Sequence, residues 1–175
     1  MQIEVERLDA AGEPFAHTYR KDELELDDEQ ARLIRETRVE GRATRKGLEV
    51  RLRGSLSAEV EIDCDRCADA VADPLEVEFD ALFVPAESER SAHENVELAT
   101  GDLDYSVYVD EAIDLDELAR EQILLALPAR RLCRETCKGL CPTCGANLNV
   151  EACDCAEQET DPRWAALGDL RKRQD

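Results

Sequence analysis

The chain has 175 residues, 43% of them hydrophobic, enough for one domain or two small ones with a sizeable core. Forty-two acids against 22 bases give a net charge of −20, which argues against non-specific coating of nucleic acid or anionic membrane, because Lys and Arg drive such binding. No run of about 18 apolar residues occurs, and the N-terminus is acidic where a signal peptide would be basic and apolar, so a soluble, untargeted cytoplasmic protein is expected.

The charge is unevenly spread. Residues 54–119 hold 20 acids and 2 bases, whereas residues 32–53 hold 3 acids and 8 bases, and residues 120–138 hold 2 and 5. The two basic islands offer Arg42, Arg45, Lys46, Arg51, Arg53, Arg130, Arg131 and Arg134 as candidate RNA contacts, provided they converge in space. Solvated surface charge paired with neighbouring acids is the competing reading. Only four of the 22 bases are Lys, so the acidic surface also fits a chain adapted to high internal salt.

From about Arg35 the pattern has period two, with Val39 and Gly41 first and turn chemistry at Arg45-Lys46-Gly47. Leu48, Val50, Leu52, Leu56, Ala58, Val60 and Ile62 then share one parity across Gly54, which predicts a long half-buried strand bent at that glycine. A three-residue loop at Gly54 would keep the same phase. A second run, Leu75, Val77, Phe79, Ala81 and Phe83, predicts an antiparallel partner, with Cys64-Asp-Arg-Cys67 near the connecting loop.

Residues 86–103 lack a period and read as a loop or linker, and Tyr105, Val107 and Val109 suggest another short strand. Asp114 is the expected N-cap of a helix, with Glu117 three residues on and Pro128 as the stop. Because Ile123 to Leu127 is apolar almost all round, its second half should be deeply buried against the sheet. A terminal helix is expected after Asp161-Pro162, presenting Trp164, Leu167 and Leu170.

The predicted fold is therefore α+β. It is a mainly antiparallel, barrel-like or open sheet of long bent strands covered by one buried helix, spanning residues 1–130. Residues 131–175 supply a Cys-rich segment and the terminal helix.

Eight cysteines are the strongest chemical signal, six of them within residues 133–155. In a reducing compartment such spacing favours metal over disulfide. Cys141-Pro-Thr-Cys144-Gly resembles a zinc knuckle, in which two thiolates face one ion and the turn amides face the sulfurs. Zinc needs four ligands. Cys153 and Cys155 lie nearest downstream and Cys133 and Cys137 nearest upstream; the first choice is Cys141, Cys144, Cys153 and Cys155. That leaves Cys64, Cys67, Cys133 and Cys137 for a second tetrahedral site, giving one or two structural zinc ions per chain. Buried, metal-free cysteine is the plain alternative.

Redox chemistry at Cys64 and Cys67 is disfavoured, because the pair follows a strand and the flanking Asp63, Asp65 and Asp69 should raise its thiol pKa. His17 and His93 read as solvent-facing, and no phosphate loop, nucleophile elbow or HExxH motif occurs. A cysteine-only shell leaves zinc no open position, so no catalysis is expected.

Four blocks in shared order carry a family likeness. They are Cys64-Asp-Arg-Cys67, Asp114-Leu-Asp-Glu-Leu-Ala-Arg-Glu-Gln-Ile-Leu-Leu-Ala-Leu-Pro128, Cys137-Lys-Gly-Leu-Cys-Pro-Thr-Cys-Gly-Ala-Asn-Leu-Asn149 and Asp161-Pro-Arg-Trp-Ala-Ala-Leu167. From about residue 39 to 172 the chain resembles the YceD family, the large ribosomal RNA subunit accumulation proteins of bacteria and plant plastids. The resemblance implies a non-enzymatic role in accumulation or processing of large-subunit (23S) ribosomal RNA, and so in ribosome biogenesis.

The expected partner is then a large-subunit rRNA precursor, met by the basic islands, or a basic ribosomal protein, met by the acidic middle third. No membrane and no small-molecule substrate is expected. Two other classes remain: a thiol-redox or metal-handling protein using the CxxC pair, and a protein-interaction module with structural zinc.

Overall fold

A computed structural model describes residues 1–28, 31–86 and 105–155. The elements, in chain order, are β1 (Gln2–Glu4), a 3-10 turn (Val5–Arg7), β2 (Glu13–Tyr19), β3 (Ala31–Leu33), β4 (Thr37–Lys46), β5 (Glu49–Asp63), β6 (Ala70–Pro85), β7 (Ser106–Tyr108), β8 (Ala112–Asp114) and α1 (Leu115–Ala126). The expected terminal helix and most of the expected loop before β7 lie outside the described residues, as does His93.

The main sheet runs β2-β4-β5-β6-β7, with β3 beside the far end of β5, and a separate pair joins β1 to β8. Among the described residues the path is open at β2 and β7, so the barrel-like alternative does not hold. Every pairing is antiparallel except β6 with β7.

Alternation explains the long strands. Val50, Leu52, Leu56, Ala58, Val60 and Ile62 of β5 are all buried on one face, as the parity predicts. The phase passes through Gly54 without a loop. Gly54 pairs with Gly41 of β4, and a Cβ on Gly54 would stand 2.2 Å from the Glu40 carbonyl oxygen and 2.9 Å from the Phe79 ring. Two glycines face to face let the backbones close up and the sheet bend, while Phe15 and Phe79 cover the gap.

Leu48 departs from the expected pattern. It is 59% exposed because Gly47-Leu48 is the two-residue turn between Lys46 and Glu49. Gly47 carries the positive φ of 65° that the first central position of such a hairpin needs.

Asp114 caps α1 as predicted, its carboxylate accepting from the Asp116 N–H at 2.9 Å. Leu115, Leu118, Ala119 and Ile123 are buried against the sheet. The second half is less enclosed than its composition suggests: Leu125 is 72% exposed, since a single-layer cover has an outer side. Leu127, before Pro128, is extended and ends the helix. The short strand expected after residue 105 is β7. Tyr108 is buried and donates to the Leu48 carbonyl at 3.1 Å, while Val107 and Val109 face out. His17 is half-buried and meets the Tyr19 ring edge-on at 4.4 Å, rather than facing solvent freely.

Candidate metal centres

β5 delivers Cys64 as the next inward residue after Ile62, and the loop Cys64–Asp69 turns back into β6. The turn is tied by the Cys64 N–H to Asp69 O and the Ala68 N–H to Cys64 O, at 3.0 and 2.8 Å, with Ala68 at a positive φ of 56°. The segment after α1 then comes back to this loop. The Asp65 N–H donates to Arg131 O at 2.8 Å, the Arg131 N–H to Asp65 Oδ2 at 2.7 Å, and the Leu140 N–H to Arg66 O at 2.9 Å.

This return brings Cys64, Cys67, Cys133 and Cys137 together, with all four sulfurs within 4.8 Å of one another. Cys64 Sγ lies 3.9 Å from Cys137 Sγ and Cys67 Sγ 3.6 Å from Cys133 Sγ. Four sulfurs at about 2.3 Å from one zinc sit roughly 3.8 Å apart, so these edges suit a tetrahedral ion, whereas a disulfide needs about 2 Å. Cys141, Cys144, Cys153 and Cys155 form a second group within the same 4.8 Å limit. All eight cysteines are free thiols. Either group can hold a metal ion.

The two groups differ in setting. In the first, three cysteines are buried and Cys133 is half-buried; in the second, Cys144 and Cys155 are exposed. Each has one sulfur rich in amide donors. At Cys64 burial works against ionisation, yet the amides of Cys133, Arg66 and Cys67 draw the thiol down to about 6. At Cys141 the amides of Cys144 and Thr143 do the same, also to about 6. Cys67 is pushed the other way: the Asp69 amide favours its thiolate, but burial and the Asp69 carboxylate at 3.2 Å outweigh it. The expected effect of the flanking acids therefore appears at Cys67 and fails at Cys64.

Several supporting residues went unread in the sequence. Asn149 donates its side-chain amide to Cys137 Sγ at 3.3 Å and accepts the Lys138 N–H at 2.8 Å. Asn147 donates to both carboxylate oxygens of Asp69. Arg66, inside the first CxxC, donates to Cys137 O at 2.6 Å. Gly139, at a φ of 77°, packs so close to Arg66 that a Cβ there would stand 2.8 Å from its carbonyl oxygen. The only written clue was that both asparagines and the glycine sit inside the block Cys137–Asn149.

The basic islands do not merge. Arg42, Lys46, Arg51 and Arg53, with Glu49, line a depression of about 470 Å³ on the outer face of the β4–β5 hairpin. Arg51 and Arg53 share Asp80, at 2.5 to 2.9 Å. Arg45 turns away and is spent on the Val5 and Gly47 carbonyls. The second island lies beside the first cysteine group, at the far end of β5, a rise on the order of 40 Å away. There Arg131 is engaged by Asp28 at 3.3 Å, while Arg130 and Arg134 are exposed.

Among the described residues no helix is long and apolar enough to cross a membrane. No solved structure matches the chain. A protein-family model described as large ribosomal RNA subunit accumulation protein YceD matches residues 52–171. The uncharacterised protein YlbN of Bacillus subtilis is 30% identical over 92% of this chain and 89% of its own length. A chloroplastic large ribosomal RNA subunit accumulation protein YCED homolog of Arabidopsis thaliana is 26% identical over 74% of this chain, which spans 46% of that protein. An uncharacterised Mycobacterium tuberculosis protein is 33% identical over 69% of this chain and 55% of its own length. The matched stretch runs from inside β5 through α1 and both cysteine groups, and on it the chain belongs to the YceD family.

Proposed function

We propose that this protein is a non-catalytic cytoplasmic factor in biogenesis of the large ribosomal subunit, supporting accumulation of its 23S RNA. The family match over residues 52–171 carries this reading. In it, Cys64, Cys67, Cys133 and Cys137 hold one structural zinc and Cys141, Cys144, Cys153 and Cys155 a second. A shell of four cysteines leaves no open coordination position, so the ions hold the C-terminal segment to the sheet and to itself.

Contact with precursor RNA falls to the β4–β5 depression. Arg42, Lys46, Arg51 and Arg53 line it with Glu49, Asp80 pairing Arg51 and Arg53 and the Gly12 carbonyl accepting from Arg42 at 2.7 Å, which leaves a local positive excess on an acidic body. At the other end of β5, Arg130 and Arg134 are a smaller second contact, while Arg45 and Arg131 serve the fold. The test is to crosslink the protein in its own cells and sequence the recovered RNA. Enrichment of large-subunit precursor RNA is expected. A ribosomal protein that co-purifies after nuclease treatment, with no such RNA enriched, would replace the RNA contact by a protein contact on the acidic region.

A further inference from the structure

We infer that the two cysteine groups are zinc sites of unequal permanence: the buried group keeps its ion, and the exposed group exchanges its ion with solution. This rests on the zinc reading above and adds a property that reading does not require.

In the buried group the ligands are held together independently of sulfur. Asp65 N–H to Arg131 O, Arg131 N–H to Asp65 Oδ2, Leu140 N–H to Arg66 O and Arg66 Nη1 to Cys137 O join the loop after β5 to residues 131–140. Gly139 lets the two backbones touch, and the Asn149 amide covers Cys137 Sγ. An incoming ligand finds three of the four sulfurs buried. The ligand pairs cannot part until these bonds open.

The exposed group has only half of this support. Its knuckle is tied by the Cys141 N–H to Ala146 O and the Gly145 N–H to Cys141 O, at 2.8 and 2.9 Å. Cys153 and Cys155 lie beyond Glu151, and among the described residues no backbone-to-backbone hydrogen bond reaches residues 152–155. Their sulfurs nevertheless stand within 4.8 Å of those of the knuckle. Cys144 and Cys155 are open to solvent, one from each pair.

Exchange there is simple substitution. An incoming donor forms a bond to zinc as one zinc–sulfur bond breaks, the thiolate takes a proton from solvent, and no electrons move. The ions this site would take are soft divalent cations such as zinc and cadmium.

The experiment follows zinc leaving the intact zinc-loaded chain into the chromophoric chelator 4-(2-pyridylazo)resorcinol. Two zincs per chain should leave in two phases of equal size. One net backbone hydrogen bond is worth roughly fivefold in a rate, so the two backbone-to-backbone bonds among the four, Asp65 N–H to Arg131 O and Leu140 N–H to Arg66 O, should by themselves separate the phases by about 25-fold. Cys155→Ser should remove the fast phase and one zinc and keep the slow phase, with Cys153→Ser as a second variant. In the wild-type chain, one equivalent of cadmium should displace one zinc at the fast rate. A single rate for both ions, or a fast phase that survives in both variants, would overturn unequal permanence and leave the zinc reading standing. A chain without zinc, or one holding iron with visible absorption, would overturn both.

Discussion

Gly139 and Gly145 offer a matched pair of substitutions that isolates one contact. Both have positive φ, 77° and 75°, and both flank a cysteine group. Alanine at Gly145 meets nothing within 4 Å, so its cost is backbone strain alone, about 1 kcal/mol. Alanine at Gly139 carries the same strain and also sets a methyl 2.8 Å from the Arg66 carbonyl oxygen and 3.3 Å from Arg66 Cβ. Relief requires the oxygen to retreat by about half an ångström, which weakens the Leu140 N–H bond it accepts and costs about 1–2 kcal/mol more. Gly139→Ala should therefore lose about 2–3 kcal/mol in urea unfolding of the zinc-loaded chain, against about 1 for Gly145→Ala. In melting temperature this is a fall of about 4–12 °C for Gly139→Ala in a chain of this size. Equal losses would show that the Arg66 contact does not hold the C-terminal segment.

Other expectations follow from single side chains. Thr37 is fully buried and its hydroxyl has no hydrogen-bond partner among the described residues, so Thr37→Val should stabilise by about 1 kcal/mol; a clear loss in urea unfolding would reveal a partner for the hydroxyl. Tyr19, 2% exposed, donates to Asp116 at 2.8 Å, and Tyr19→Phe should cost about 1 kcal/mol near neutrality. Burial opposes the Asp116 carboxylate, but the N-terminal amino group and the Tyr19 hydroxyl hold its pKa below the ordinary range. A depressed folded pKa gives stability that is present above the unfolded value and lost as pH falls through the folded one. The difference between wild type and Tyr19→Phe should accordingly shrink below about pH 4, and a gap that widens in acid would contradict this. Replacing Arg51 and Arg53 by Ala should flatten the slope of log affinity for precursor RNA against log salt by about 2, whereas Asp80→Asn, which frees both guanidinium groups, should strengthen binding. Unchanged binding in both variants would remove the depression as the contact.

The parts of the fold legible in sequence were those whose burial repeats locally. β5 and β6 each bury every second residue for long enough to reveal their period, and the Asp114 cap is written beside its helix. β1 and β3 are three residues long, and their partners lie at Ala112–Asp114 and Val60–Ile62, so no local period announces them. β7 is announced by Val107 at its centre, but three residues are too few for parity to choose a face. The grouping of the cysteines by fours could be reached by spacing, since a knuckle needs a second pair and few were left. The separation of the basic islands could not, because it depends on where the segment after α1 docks, with Arg131 held to Asp65 at the far end of β5. Asn149 and Gly139 act through contacts with Cys137 and Arg66 that spacing does not encode.

The first cysteine group also sets a timetable. In the zinc reading, its four cysteines must meet from both ends of a long stretch: Cys67 is followed by 65 residues before Cys133. At about 5–20 residues per second of synthesis, the Cys64–Cys67 dithiol waits roughly 3–13 s for its partners. The other group spans only Cys141–Cys155 and is completed almost as soon as it is begun. The early pair must therefore stay reduced and unclaimed while the sheet forms around it, and its rightful partners emerge only a few residues ahead of a rival pair, Cys141 and Cys144. Correct pairing is thus decided between the emergence of Cys133 and that of Cys144, when the loop after β5 must capture residues 131–137 before the rival can.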